Sequence, residues 1–93
     1  MAVPVRLPTV LRPAAGGQSV VAIEGETIGE VLGSLQAEYP AMSGQLLTNE
    51  GVLHRFVNVY VNDDDVRYLD KLDTPVSDAD TVSIIPAVAG GAA

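Results

Sequence analysis

The chain has no cysteine and no tryptophan, and only one histidine and one phenylalanine. Without cysteine it has no disulfide, no thiolate metal site and no sulfur nucleophile of its own, which fits a cytoplasmic protein. With His54 as the sole histidine, a histidine-based metal cluster is excluded. A Ser/His/Asp relay would have to recruit His54 with no serine elbow in sight, so a surface or strand-edge side chain is the simpler reading. Basic residues are scarce, five against twelve acidic ones, for a net charge of −7. Such a chain has no basic face with which to displace counterions from nucleic acid, and an anionic membrane surface repels it. A basic protein partner would suit it, unless the acidity serves solubility alone. No apolar run approaches the roughly 18 residues of a membrane span, and no basic, apolar leader of a signal peptide is read at the N-terminus. There is no Gly-rich phosphate loop. The run "NDDD" (Asn62–Asp65) lacks the glycine and distal glutamate of a calcium loop and reads as a solvated hairpin turn, so no metal is expected. Ninety-three residues hold one modest core but not a core and a roomy catalytic cleft, so the chain is not expected to be an enzyme.

What is present is organised. Apolar residues make up 47 % of the chain, which marks it as globular. Met1–Pro8 alternates, with Val3, Val5 and Leu7 on one side, as a strand with one buried face does. "RPAAGG" (Arg12–Gly17) reads as a turn, and Gln18–Gly25 as a second strand forming a hairpin with the first. Thr27 followed by Glu30 is a capping-box pattern. Behind it Ile28, Val31, Leu32, Leu35 and Tyr39 form one helical stripe that Pro40 ends. Gly29 and Gly33 in this helix would permit close packing on a sheet. Ala41–Gly51 is irregular, with one short turn holding Leu46 and Leu47 inward. From Arg55, Val57, Val59 and Val61 share one strand face and Phe56, Asn58, Tyr60 and Asn62 the other. Asp63–Asp65 then turn the chain, and Val66–Tyr68 begin a return strand. Ser77–Asp80 is a further turn. The last strand places Val82 and Ile84 inward and Ser83 and Ile85 outward.

The order β-β-α-β-β-β gives an α+β fold, a mixed sheet of four to five strands with one main helix on one face. First and last strands can then lie parallel and adjacent, which is the β-grasp, or ubiquitin-like, architecture. Residues 1–86 would form this domain and 87–93 a flexible tail. The face not covered by the helix would carry Phe56, Tyr60 and Ile85, a surface able to anchor a protein partner or to pack locally.

The tail "PAVAGGAA" begins where Pro86 can no longer donate to a ladder. From Pro86 to Gly91 it reaches about 20 Å if extended. Ala87, Val88, Ala89 and Gly90 are small enough to thread a narrow channel and deliver a carboxylate into another protein. The same composition would also suit an inert, frayed terminus.

Taken whole, the chain resembles the ThiS/MoaD family of ubiquitin-like sulfur carriers, nearest to the actinobacterial CysO branch. The stretches that carry the resemblance are "LPTVLRP", "LHRFVNVYVNDDDVRY" and "IIPAVAGG". Gly-Gly after an "IIPAV" last strand, with the β-grasp order upstream, is the specific combination. The resemblance implies that the Gly91 carboxylate is adenylated by an E1-like enzyme using ATP and Mg²⁺. A sulfur donor then displaces AMP and leaves a thiocarboxylate. An acceptor enzyme takes the sulfur, in the CysO branch a pyridoxal phosphate-dependent cysteine synthase, and a JAMM-type metalloprotease releases the new cysteine. The carrier itself would be a monomer when free, binding no cofactor. Molybdopterin, thiamin or a thiosugar are other destinations for the sulfur, and a non-covalent ubiquitin-like binding module with an inert tail is a separate reading. One departure from the family pattern stands out. Ala92 and Ala93 follow Gly91, so the resemblance implies that both are removed before activation.

Overall fold

A computed structural model describes residues 2–48, 50–54 and 57–86. The tail residues Ala87, Val88, Ala89, Gly90, Gly91, Ala92 and Ala93, and also Phe56, lie outside the described residues. Among the described residues the strands are β1 (Ala2–Arg6), β2 (Val20–Glu24), β3 (Val57–Val61), β4 (Asp64–Asp65) and β5 (Val82–Pro86), with one α-helix, α1 (Ile28–Glu38). They form a single five-stranded mixed sheet in the order β2-β1-β5-β3-β4, with β1 and β5 parallel and every other pair antiparallel. This is the expected β-grasp arrangement, with first and last strands side by side at the centre. Pro4 lies just before the parallel ladder begins at Val5, where its missing amide costs nothing.

The inward residues follow the alternation of the sequence. Val3 and Val5, Val21 and Ile23, Val57, Val59 and Val61, and Val82 and Ile84 are all buried. They meet Ile28, Val31, Leu32 and Leu35 of α1, which have no exposed surface at all. Thr27 caps this helix as its sequence demands, its hydroxyl accepting from the Glu30 amide at 3.2 Å. The Glu30 carboxylate reaches back one residue further than a capping box requires and accepts from the Glu26 amide at 3.0 Å.

Three local expectations are corrected. First, the segment read as a turn from Arg12 is mostly helical: Thr9–Ala15 is a 3-10 helix, which Gly16 closes in the left-handed conformation (φ 68°). Leu11 and Ala15 bury themselves from it, and that burial outweighs the turn propensity of Pro13. Second, the hairpin turns at Asn62–Asp63, not Asp63–Asp65. Asn62 takes the left-handed conformation (φ 58°), which asparagine tolerates, so β4 is only Asp64–Asp65. Val66–Tyr68 is then a 3-10 helix rather than a return strand, because the Asp65 carboxylate accepts from the Arg67 amide at 2.8 Å and bends the chain. Third, neither helix glycine packs on the sheet. A Cβ on Gly33 would meet nothing, and one on Gly29 would meet Leu72, so the close approach is to the 3-10 helix Lys71–Asp73. Leu46 is fully buried as expected, held by its amide donating to Gln36 Oε1 at 3.2 Å, while Leu47 is only half-buried.

Candidate functional site

The site is built around the end of β5. That strand is the middle one of five, flanked by β1 and β3. Its last residue, Pro86, sits opposite Val57, the first residue of β3. The chain therefore leaves the sheet from its centre, at one end. On the face away from α1, Ile85 lies opposite Asn58 and Ser83 opposite Tyr60. Ile85 is 45 % exposed and Tyr60 half-buried, so two of the three residues expected on a partner surface are brought together. Phe56, the third, falls outside the described residues.

Register adds neighbours that alternation in single segments did not disclose. Arg6 faces Val20 on one side and Ser83 on the other, which extends one row across the open face from Val20 through Arg6, Ser83 and Tyr60 to Asp65. Val20 is 48 % exposed. The available signal was the outward set Val20, Ala22 and Glu24, alternating with the buried Val21 and Ile23. Arg67 reaches the same end of the sheet, where Nη2 donates to the Val57 carbonyl at 2.9 Å and Nη1 to Asn58 Oδ1. On the helix side of the tail root lies a mostly apolar groove of about 240 Å³ whose lining includes Pro8, Leu11, His54, Val57, Ile84 and Pro86.

The opposite end of β5 is braced by polar contacts. Asn62 donates its side-chain amide to Asp80 Oδ1 at 3.1 Å and accepts from the Thr81 amide at 3.1 Å, while the Ser77 amide donates to Asp80 Oδ2 at 2.9 Å. The Asn62 hydrogen bond first, and the Ser77 amide second, hold the Asp80 carboxyl below its ordinary value of 3.8. A depressed folded-state value means that the stabilisation is present above the unfolded value and is lost as pH falls through the folded one. The thermal midpoint should therefore drop more steeply below pH 3.8 in the wild-type protein than in Asp80→Asn, which has no charge to lose. Parallel acid profiles for the two proteins would overturn this account of the turn.

Among the described residues no group of three or more His, Asp or Glu side chains could hold a metal ion. His54 is half-buried beside the groove, its amide donating to the Leu46 carbonyl at 2.8 Å. Among the described helices none is long and apolar enough to cross a membrane. What the arrangement offers is a face, and a chain that departs from its edge.

Comparison with known proteins points the same way. A family model described as "ThiS family" matches residues 5–91, so its match includes Gly90 and Gly91 and stops before Ala92. The sulfur carrier protein CysO of Mycobacterium tuberculosis is 50 % identical over 93 residues, covering 98 % of this chain and all of that protein. Among solved structures, the BexX/CysO complex of Amycolatopsis orientalis contains a chain with 44 % identity and a TM-score of 0.86, covering 97 % of this chain and all of that one. The small archaeal modifier protein 1 of Methanosarcina acetivorans is 32 % identical with a TM-score of 0.85, covering 97 % of this chain and 96 % of that one. The carriers among these relatives are named for what they carry, not for a reaction they catalyse.

Proposed function

Because the chain belongs to the ThiS family, we propose that it is a sulfur carrier whose Gly91 carboxylate is the working group. The observation that carries this reading is the family match running through Gly90 and Gly91, downstream of a strand that releases the chain at the sheet's centre. A carboxylate is a poor electrophile. Attack of its oxygen on the α-phosphorus of ATP, with loss of pyrophosphate, makes an acyl-adenylate. A sulfide equivalent then attacks the carbonyl carbon, and AMP leaves with the C–O electron pair. The product is a thiocarboxylate, ionised at neutral pH and nucleophilic at sulfur. Tethering that sulfur to a docking domain raises its concentration at the acceptor. ATP and Mg²⁺ belong to the E1-like activating partner.

Cysteine formation is the destination that the likeness to the CysO proteins favours. Its machinery would be a pyridoxal phosphate-dependent synthase as acceptor and a JAMM-type protease that releases the product. Ala87, Val88, Ala89 and Gly90 form the arm, and Ile85 with Tyr60 and Phe56 the surface beside it. Ala92 and Ala93 must leave first, since two further residues would carry the carboxylate about 7 Å past the adenylation position. The test is to incubate the full chain and a form ending at Gly91 with the activating enzyme, ATP and sulfide, and to weigh the products. The Gly91-ending form should gain the mass of one oxygen replaced by sulfur. Failure of that form to gain it would overturn the carrier reading. The same gain by a full chain that keeps both alanines would overturn the processing step.

A further inference from the structure

The strand register sorts the charges of the sheet by end. β1 and β5 run together, β2 and β3 against them. Leu7, Ser19, Val57 and Pro86 therefore share the end from which the tail departs, with the Leu7 amide donating to the Ser19 carbonyl at 2.8 Å. Glu24, Asp63, Asp64 and the Ser77–Asp80 turn gather at the far end, where the Asn62 amide donates to the Thr81 carbonyl at 2.7 Å. The cations are placed differently. Arg67 donates to the Val57 carbonyl opposite Pro86, Arg6 stands opposite Ser83, three residues before Pro86, and Arg12 Nε donates to the Leu7 carbonyl at 3.2 Å. Of the five cations in a chain of net charge −7, Arg6 and Arg12 thus lie near one another on the β1 side of the sheet, and Asp65 ends the same open-face row as Arg6 two strands beyond Ser83.

Arg6 and Arg12 share a shallow cleft of about 390 Å³ with Ser19, Val20, Ser83 and Ile85. Neither arginine forms an ion pair among the described residues. The cleft therefore combines two guanidinium groups without an ion pair, that of Arg12 held through Nε by the Leu7 carbonyl, with two hydroxyls and two half-exposed aliphatic side chains. Guanidinium matches a carboxylate in two-point geometry, and an adjoining aliphatic pair suits one apolar side chain.

We propose that this cleft docks an acidic segment of the activating partner, with a Glu or Asp carboxylate between Arg6 and Arg12 and a neighbouring apolar side chain on Val20 and Ile85. The proposal rests on the carrier reading, because a partner that takes up the arm must sit at the end where Pro86 releases it. Charge complementarity selects the acidic partner. Within the cleft an acidic segment meets Arg6 and Arg12 and, among the described residues, no carboxylate, whereas Asp63, Asp64 and the Ser77–Asp80 turn would repel it. With a screening length of about 8 Å at physiological salt, this polarity acts over the last stage of approach and in holding the complex. The domain is thereby oriented so that its arm faces the partner.

The test measures direct binding of the full chain to its cognate E1-like enzyme, without ATP, over a series of salt concentrations. Arg6→Gln/Arg12→Gln is compared with Ser34→Glu/Ala37→Glu, which changes net charge equally on the exposed side of α1. The arginine variant should bind about tenfold more weakly and lose most of the salt dependence, and the helix variant should change less than about twofold. Arg6→Gln alone should show part of the loss; it leaves the Arg12–Leu7 hydrogen bond in place, and unchanged thermal midpoints confirm intact folds. Equal losses in the two double variants, no loss in either, or no binding of the wild-type chain would each overturn the proposal. Sulfur uptake by the wild-type chain is read separately by mass. Arginine-dependent binding without thiocarboxylate would sink the carrier reading and leave the docking surface standing. Thiocarboxylate formation with arginine-independent binding would do the reverse.

Discussion

A chain ending at Ala89, without Gly90, Gly91 and the two alanines after them, should fail completely in sulfur transfer, where the form ending at Gly91 succeeds, while the thermal midpoint of the domain stays where it is. The two halves of this expectation come from different parts of the chain. The ladder between β3 and β5 closes with Val57 opposite Pro86, and the core residues of β5 are Val82 and Ile84. Every strand of the sheet and every buried core residue lies at or before Pro86. The chemistry, by contrast, depends on where a carboxylate is delivered. Shortening the arm by two residues withdraws its end by about 7 Å. Misplacement by as little as 1 Å costs about a hundredfold when two reacting groups must meet in line, so the loss should be complete within detection. The measurement pairs a melting curve with mass spectrometry after incubation with activating enzyme, ATP and sulfide. A deletion variant that still acquires sulfur would refute the assignment of Gly91. A variant that keeps full biological function, with partner affinity intact, would show a non-covalent binding module instead. Higher-mass conjugates of the wild-type chain that survive denaturation would reveal a modifier that joins lysines.

Leu32→Ala should lower the thermal midpoint by roughly 10–30 °C. Leu32 lies in the middle of α1, with no exposed surface, on the stripe it shares with Ile28, Val31 and Leu35. Truncating such a leucine removes its transfer free energy and leaves a cavity, about 2–5 kcal/mol together. A domain of this size has only about 5–15 kcal/mol to lose, and each 1 kcal/mol moves the midpoint by about 4–8 °C. Val20→Ala provides the contrast. Val20 is 48 % exposed on the open face, and its truncation should cost about 0.5 kcal/mol or less. Calorimetry on both proteins checks the ranking. Near-equal midpoints would mean that α1 does not close the core as described.

The parts of the fold legible in the sequence are those in which one physical rule acts alone. Val57, Val59 and Val61 alternate because one sheet face is dry, and their burial follows. Thr27 and Glu30 mark the helix start because four amides there need acceptors. Where two rules compete, the sequence misleads. Pro13, Gly16 and Gly17 signal a turn, yet Leu11 and Ala15 pull the preceding residues into a 3-10 helix against the core. Asp63, Asp64 and Asp65 look alike, but only a left-handed Asn62 fixes where the hairpin reverses, and Asp65 spends its carboxylate on bending the chain. The partner face shows the same limit. Ile85 and Tyr60 could be placed from their own strands, whereas Arg6 joins them only through the parallel pairing of β1 with β5. Long-range register is not written in any local pattern.

The central position of β5 has a mechanical meaning as well. A partner that grips the chain beyond Pro86 and tugs on it draws along the axis of a strand paired with β3 over its whole length and with β1 at Val82 and Ser83. The β3–β5 bonds are then strained together in shear, with the β1 pairs anchoring the start of the strand, rather than unzipped one after another. Load applied beyond Pro86 is thereby spread over the ladder that joins β5 to the centre of the sheet.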